Sequence, residues 1–159
     1  MKIEKISDIY EVLKGYTRKK RLVVAFANDS HSIEAVYMAV KAGLVEGILV
    51  GDTETIQGVC KENGYDESCF KIVHEPNDVR GAETAVEMIR NGEADVIMKG
   101  LVSTDKYMRA ILNKERGLVA PNAILSHVVV MECSSYHKLL TVSDVAVIPC
   151  PDLNQKISM

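Results

Sequence analysis

The chain has 159 residues, 47% hydrophobic and 26% charged, with a net charge of −3. That is one ordinary domain's length, apolar enough to build a core without metals or disulfides, and it excludes a disordered protein. The slightly acidic balance lacks the concentrated basic face of a nucleic-acid binder, and no apolar run approaches the ~20 residues of a membrane span.

In chain order, Ile3, Ile6, Ile9, Tyr10 and Leu13 recur at helical spacing, and Gly15 ends the run. The one basic cluster, Arg18-Lys19-Lys20-Arg21, reads as a solvated turn. Leu22–Ala27 is a continuous apolar run, the signature of a strand buried on both faces. Asn28-Asp29-Ser30 then opens a helix carrying Ile33, Val36, Tyr37 and Val40, closed by Gly43. Gly47–Val50 is a second strand, Thr53–Asn63 a helix stopped at Gly64, and Phe70–His74 a third strand. Asp78 is expected to cap a helix through Ala82, Ala85, Val86 and Ile89, stopped by Gly92. Asp95–Met98 is a fourth strand, and Ser103-Thr104-Asp105 caps a helix through Met108, Ile111 and Leu112.

Strand–helix alternation of this kind predicts right-handed crossovers and a three-layer α/β fold, a mainly parallel sheet with helices on both faces. The rhythm then changes. Ile124–Met131 and Leu139–Ile148 are two long β-type segments joined by too few residues for a parallel crossover, so they are expected to pair antiparallel and extend the fold as a mixed sheet. Pro149 and Pro151 stop the second segment, and Asp152–Ile157 reads as the first turns of a helix. The expected organisation is a first α/β domain over residues 1–150 and the start of a truncated second domain over 151–159.

The cysteines Cys60, Cys69, Cys133 and Cys150 form no C-x-x-C pair and suit neither a zinc site nor a disulfide framework. No metal is expected. Free thiols and an amino end without an apolar leader point to the cytoplasm.

Two segments could carry chemistry. Asn28-Asp29-Ser30-His31-Ser32 follows the first strand, where open α/β sheets bind ligands, but helix capping accounts for these residues. Lys99-Gly100-Leu101-Val102-Ser103-Thr104 says more: a lysine and a glycine leave a buried strand and two hydroxyls start a helix. Glycine lets backbone approach a ligand, lysine is a mobile charge for phosphate, and a helix start offers donors to anions. Arg109 could aim its fork at the same place. The G-x-x-x-x-G-K-[ST] pattern of a P-loop is absent, and a capped helix with a surface arginine fits the same residues. His127 reads as a structural strand histidine and His137 as an exposed turn residue. Asp144, amid Val142, Val145 and Val147, looks like a carboxylate inside a strand that needs a specific hydrogen bond.

At these residues the sequence resembles the phosphate acetyl/butyryl transferase family, most closely its butyryl branch. The stretches that carry the likeness are Ala94–Thr104 with Arg109, Leu125–Val128, Tyr136–Pro149 and Pro151–Lys156, with Ala25–Asp29 and Leu49–Asp52 earlier. The resemblance implies the reversible reaction of acyl-CoA with phosphate to give acyl phosphate and coenzyme A, by direct attack on the acyl carbonyl. It implies a two-domain fold similar to isocitrate and isopropylmalate dehydrogenases, assembled as a homo-oligomer. Coenzyme A would be substrate or product, with no permanently bound cofactor. Ser103, Thr104 and Arg109 occupy motif positions that would hold phosphate, with Lys99 beside them and Arg80 matching a further family arginine. Family members are roughly twice as long, near ~300 residues, and their catalytic Ser, Arg and Asp grouping belongs to the later half, so catalytic residues are not expected here. The alternatives are a non-catalytic module that binds phosphate or coenzyme A, and an oligomerisation module.

Overall fold

Four short runs of β-branched and aliphatic residues assemble one sheet in the computed structural model, which describes residues 2–121, 123–148 and 150–159. The chain falls into two compact units, Thr17–Leu118 and Met1–Tyr16 with Val119–Met159.

In the Thr17–Leu118 unit the strands are β1 (Lys20–Ala25), β2 (Val45–Gly51), β3 (Phe70–His74) and β4 (Val96–Lys99). The helices are α2 (Ser30–Lys41), α3 (Thr53–Asn63), α4 (Asp78–Arg90) and α5 (Thr104–Leu112); α1 (Ile6–Lys14) belongs to the other unit. All strand pairs are parallel and the order is β3-β2-β1-β4. Val24 and Leu49 are register partners on one face and pack with Ile33 and Val36 of α2 and Ile56 and Cys60 of α3. Side chains alternate along a strand, so Val23, Ala25 and Ile48 face the other side, where α4 packs with Ala82, Ala85 and Val86 buried. This is the expected three-layer arrangement. Gly43, Gly64 and Gly92 follow α2, α3 and α4 with φ near +70°, the left-handed step that ends a helix.

Several expectations need correction. The basic cluster is not simply a solvated turn: Lys20 and Arg21 open β1, and Arg21 donates from both Nε (3.0 Å) and its backbone N–H (2.9 Å) to Oδ2 of Asp95. With Lys20 also 3.9 Å from its other oxygen, Asp95 is held down to about 2, chiefly by the Arg21 side chain. It precedes β4 rather than belonging to it. Asn77, not Asp78, caps α4, its Oδ1 accepting from Val79 and Arg80 N–H at 3.1 Å each. Asp78 is the first helical residue and is free to pair elsewhere.

In the other unit, β5 (Val128–Met131) and β6 (Leu140–Ser143) pair antiparallel, Val128 opposite Ser143 and Met131 opposite Leu140. The pairing is as expected, but each strand has four residues, and the two form a sheet of their own instead of joining the parallel one. Asp144 lies just past β6 with φ +60°, which turns the chain out of the ladder after a last bond from its N–H to the His127 carbonyl (2.7 Å). It is therefore not inside a strand. α6 (Leu153–Ser158) begins with a capping box in which Asp152 and Gln155 each accept from the other's backbone N–H at 2.8 Å. Glu132 accepts from the Ile6 N–H (2.8 Å) at the start of α1.

Candidate anion site at the sheet's switch point

β1, β2 and β3 progress in one direction and β4 returns to the far side of β1, so the sheet reverses between β1 and β4. A crevice outside the carboxyl ends of two such strands is where open α/β sheets bind ligands. The loops leaving β1 and β4 touch there. Gly100 donates to the Ala25 carbonyl (3.0 Å) and Leu101 to that of Phe26 (2.8 Å). A Cβ on Gly100 would overlap the Phe26 carbonyl oxygen and stand 2.9 Å from that of Ala25, so only glycine permits this approach. Phe26 itself has φ +64°, an unusual conformation for a bulky residue, and its ring lies against Gly81 in α4.

Ser103 is the N-cap of α5, its Oγ accepting from the Lys106 N–H at 3.3 Å. The hydroxyl can still donate outward, and Thr104 follows in the first turn, where a helix leaves backbone N–H groups without internal partners. The amino end of α4 is drawn alongside: Lys106 Nζ is 2.6 Å from Asp78 Oδ2, and that hydrogen bond, foremost, holds the Asp78 carboxyl below its ordinary range. At the opposite ends Arg90 donates to the Glu115 carbonyl (3.0 Å). α4 and α5 are thus clamped side by side and parallel, both amino ends toward the crevice, where their dipoles add to a positive potential.

Of the residues singled out from the sequence, Ser103 and Thr104 sit together at this mouth. Lys99 ends β4, exposed, its Nζ 3.5 Å from the Gly100 carbonyl. Arg80 is in the first turn of α4, its Nε 3.1 Å from Oε2 of the buried Glu75. Glu75 is fixed in turn by the Asn77 N–H (3.1 Å). Arg109 is not turned to the hydroxyls. Five residues along a helix is about 140° round its axis from Thr104, and its Nε pairs with Asp105 at 3.0 Å instead.

The Asn28–Ser32 cluster does what capping requires: Asp29 accepts from Ser32 N–H (2.9 Å), and Asn28 ties the loop to β2 through Asp52 N–H (2.9 Å). In the sequence Asp78 reads only as a helix cap and Phe26 only as part of an apolar run, and neither Lys106 nor Glu75 stands out. Asp78 and Lys106 are 28 residues apart, and no local pattern links them. All four cysteines are free; burial raises the Cys60 thiol, and hydrogen bonds from Ser135 lower that of exposed Cys133. Among the described residues no group of His, Cys, Asp and Glu could hold a metal, and no helix is long and apolar enough to cross a membrane.

A parallel sheet with helices on both faces, its order reversing between β1 and β4 and the N-cap of α5 following β4, defines a doubly wound α/β protein. Residues 70–159, which include α4, β4 and α5, match the family described as phosphate acetyl/butaryl transferase, and the chain belongs to that family. It is 40% identical over 157 residues to a phosphate butyryltransferase of Clostridium acetobutylicum, covering 99% of this chain and 52% of that protein. To a phosphate acetyltransferase of Thermotoga maritima it is 33% identical over 154 residues, 97% of this chain and 51% of that one. The chain therefore spans about half the length of the curated relatives it matches. Among solved structures, a branched-chain phosphotransacylase from Enterococcus faecalis V583 superposes with a TM-score of 0.70 at 23% identity, over 87% of this chain and 48% of that one. A phosphotransacetylase from Streptococcus pyogenes gives 0.67 at 18% identity, over 90% and 52%. These likenesses show the fold.

Proposed function

We propose that the chain supplies the phosphate-holding part of a phosphate acyltransferase, which converts a short-chain acyl-CoA such as butyryl-CoA and phosphate into acyl phosphate and coenzyme A. The observation that carries this reading is the Gly100–Thr104 junction at the switch point, inside the segment that matches the family. The hydroxyls of Ser103 and Thr104 and the first N–H groups of α5 donate to phosphate oxygens, and Lys99 and Arg80 add positive charge. Arg109 joins them by leaving Asp105. An exposed i,i+4 ion pair contributes only about 0.3–0.5 kcal/mol, so a phosphate dianion competes for the guanidinium readily. Held there, a phosphate oxygen attacks the thioester carbonyl. The carbon–oxygen bond forms, the carbonyl oxygen carries the charge, and collapse expels the coenzyme A thiolate. Both developing anions need stabilising charge nearby.

On this reading residues 1–150 form the first α/β domain and 151–159 open a second, in which the family resemblance places the thiol-handling Ser, Arg and Asp. The protein is a cytoplasmic homo-oligomer with no permanent cofactor; four free thiols suit that compartment. A second reading is a module that binds phosphate or coenzyme A without turnover. Phosphate-dependent release of coenzyme A from butyryl-CoA, measured with these residues in a chain of the relatives' full length, separates the two. In the complete enzyme, Arg109→Ala is expected to weaken phosphate use by tenfold or more with coenzyme A binding little changed; the reverse pattern would remove Arg109 from the phosphate site.

A further inference from the structure

Leu101 stands in the middle of the anion loop, yet it is 56% exposed, while its neighbour Val102 is buried. The backbone explains the split. Val102 N–H donates to the Gly100 carbonyl (2.9 Å), closing a three-residue turn with Leu101 at its apex, and Leu101 N–H is fixed to Phe26 (2.8 Å). A rigid turn therefore holds a large aliphatic side chain outward, two residues before Ser103. Single exposed apolar residues are common on surfaces and need no function. This one differs in position: it borders donors suited to a phosphate.

We infer that Leu101 is the apolar contact for the acyl chain and a determinant of chain-length preference. The inference rests on the phosphate site proposed above. In an acyl phosphate the carbonyl carbon is one bridging oxygen from phosphorus, so a phosphate held by Ser103 and Thr104 forces the acyl group to lie against the surroundings of that loop. A methyl-length chain barely reaches beyond the carbonyl. Each further methylene can be withdrawn from water against Leu101.

The test titrates the purified chain with inorganic phosphate and with methyl-, ethyl-, propyl- and butylphosphonate, whose P–C bond cannot be transferred, following amide chemical shifts. Affinity is expected to rise by about two- to fourfold per methylene beyond ethyl, whose two carbons stand in for the bridging oxygen and the carbonyl carbon, the upper figure being that of a fully buried CH₂. In Leu101→Ala the butyl-to-methyl affinity ratio should fall several-fold, and an unaltered melting curve would show the variant folded. Using a ratio cancels any change in head-group binding. Phosphonates that bind with no dependence on chain length, or a ratio unchanged in Leu101→Ala, would overturn the assignment and leave Leu101 as cover for a protein segment. The phosphate site would survive that result. Failure of inorganic phosphate and every phosphonate to bind would remove the phosphate site, and this inference with it.

Discussion

Adding one methyl group at Gly100 places a carbon inside the Phe26 carbonyl oxygen. Gly100→Ala must therefore push the β4–α5 loop off the β1–α2 loop. We expect a loss of about 1–3 kcal/mol in urea unfolding, the usual range for overpacking, together with weakened phosphate binding. A loss of binding at unchanged stability would mean that the loop moves without strain. Asp95 gives a second residue-scale expectation. Its carboxyl is lowered from 3.8 to about 2 by Arg21. A depressed carboxylate stabilises the fold fully above the unfolded value and loses that contribution as pH falls through the folded one. Asp95→Asn should thus melt lower than wild type at neutral pH, with the gap closing between about pH 4 and 2; a gap independent of pH would implicate packing instead. Sequence alone revealed Ser103, Asp29 and the glycine stops, because caps act within three or four residues. It could not reveal Arg21–Asp95, 74 residues apart, because only the folded sheet joins them. Nor could it reveal the exposed pair of Arg109 with Asp105, because a five-residue distance from Thr104 in the chain does not say which way helical rotation turns the guanidinium.

Among the elements, β5 and β6 were legible in kind but not in length. A run of Val and Ile signals strand wherever it lies, whereas a ladder exists only where two runs face each other in register, here for four residues. Nor does rhythm say which sheet a strand will join. Asp144 ends β6 with φ +60°, a conformation that burdens any residue with a Cβ by roughly 1–2 kcal/mol. Its Oδ1 is also buried without a partner among the described residues. Asp144→Gly is therefore expected to be more stable than Asp144→Ala by about 1 kcal/mol in chemical denaturation; equal stabilities would mean the turn relaxes in both. The parallel α4–α5 pair depends on Lys106 and Asp78 at the amino ends. Lys106→Met leaves the Asp78 carboxylate uncompensated beside the crevice. Phosphate affinity should fall, and the double variant with Asp78→Asn should recover part of it. No recovery would mean that Lys106 touches the anion directly.

For the molecule as a whole, the half-length match to its relatives bears on turnover. Phosphate and thioester must be held together in near-attack geometry, and lost positioning alone can raise the barrier by about 7–11 kcal/mol. We expect the 159-residue chain to bind phosphate but to release little coenzyme A from butyryl-CoA. Phosphate-dependent turnover close to that of a full-length relative would show a complete site within these residues. The strand order carries a kinetic consequence as well. β1 and β2 are near in sequence and can meet early, but the anion mouth needs β4 to close on β1 across the whole of α2, β2, α3, β3 and α4. The mouth is then among the last features to assemble, after most of the loop entropy has been overcome. A ligand that binds only the finished mouth stabilises the native state without helping the transition state, so phosphate should slow unfolding in proportion to its occupancy and leave the refolding rate almost untouched.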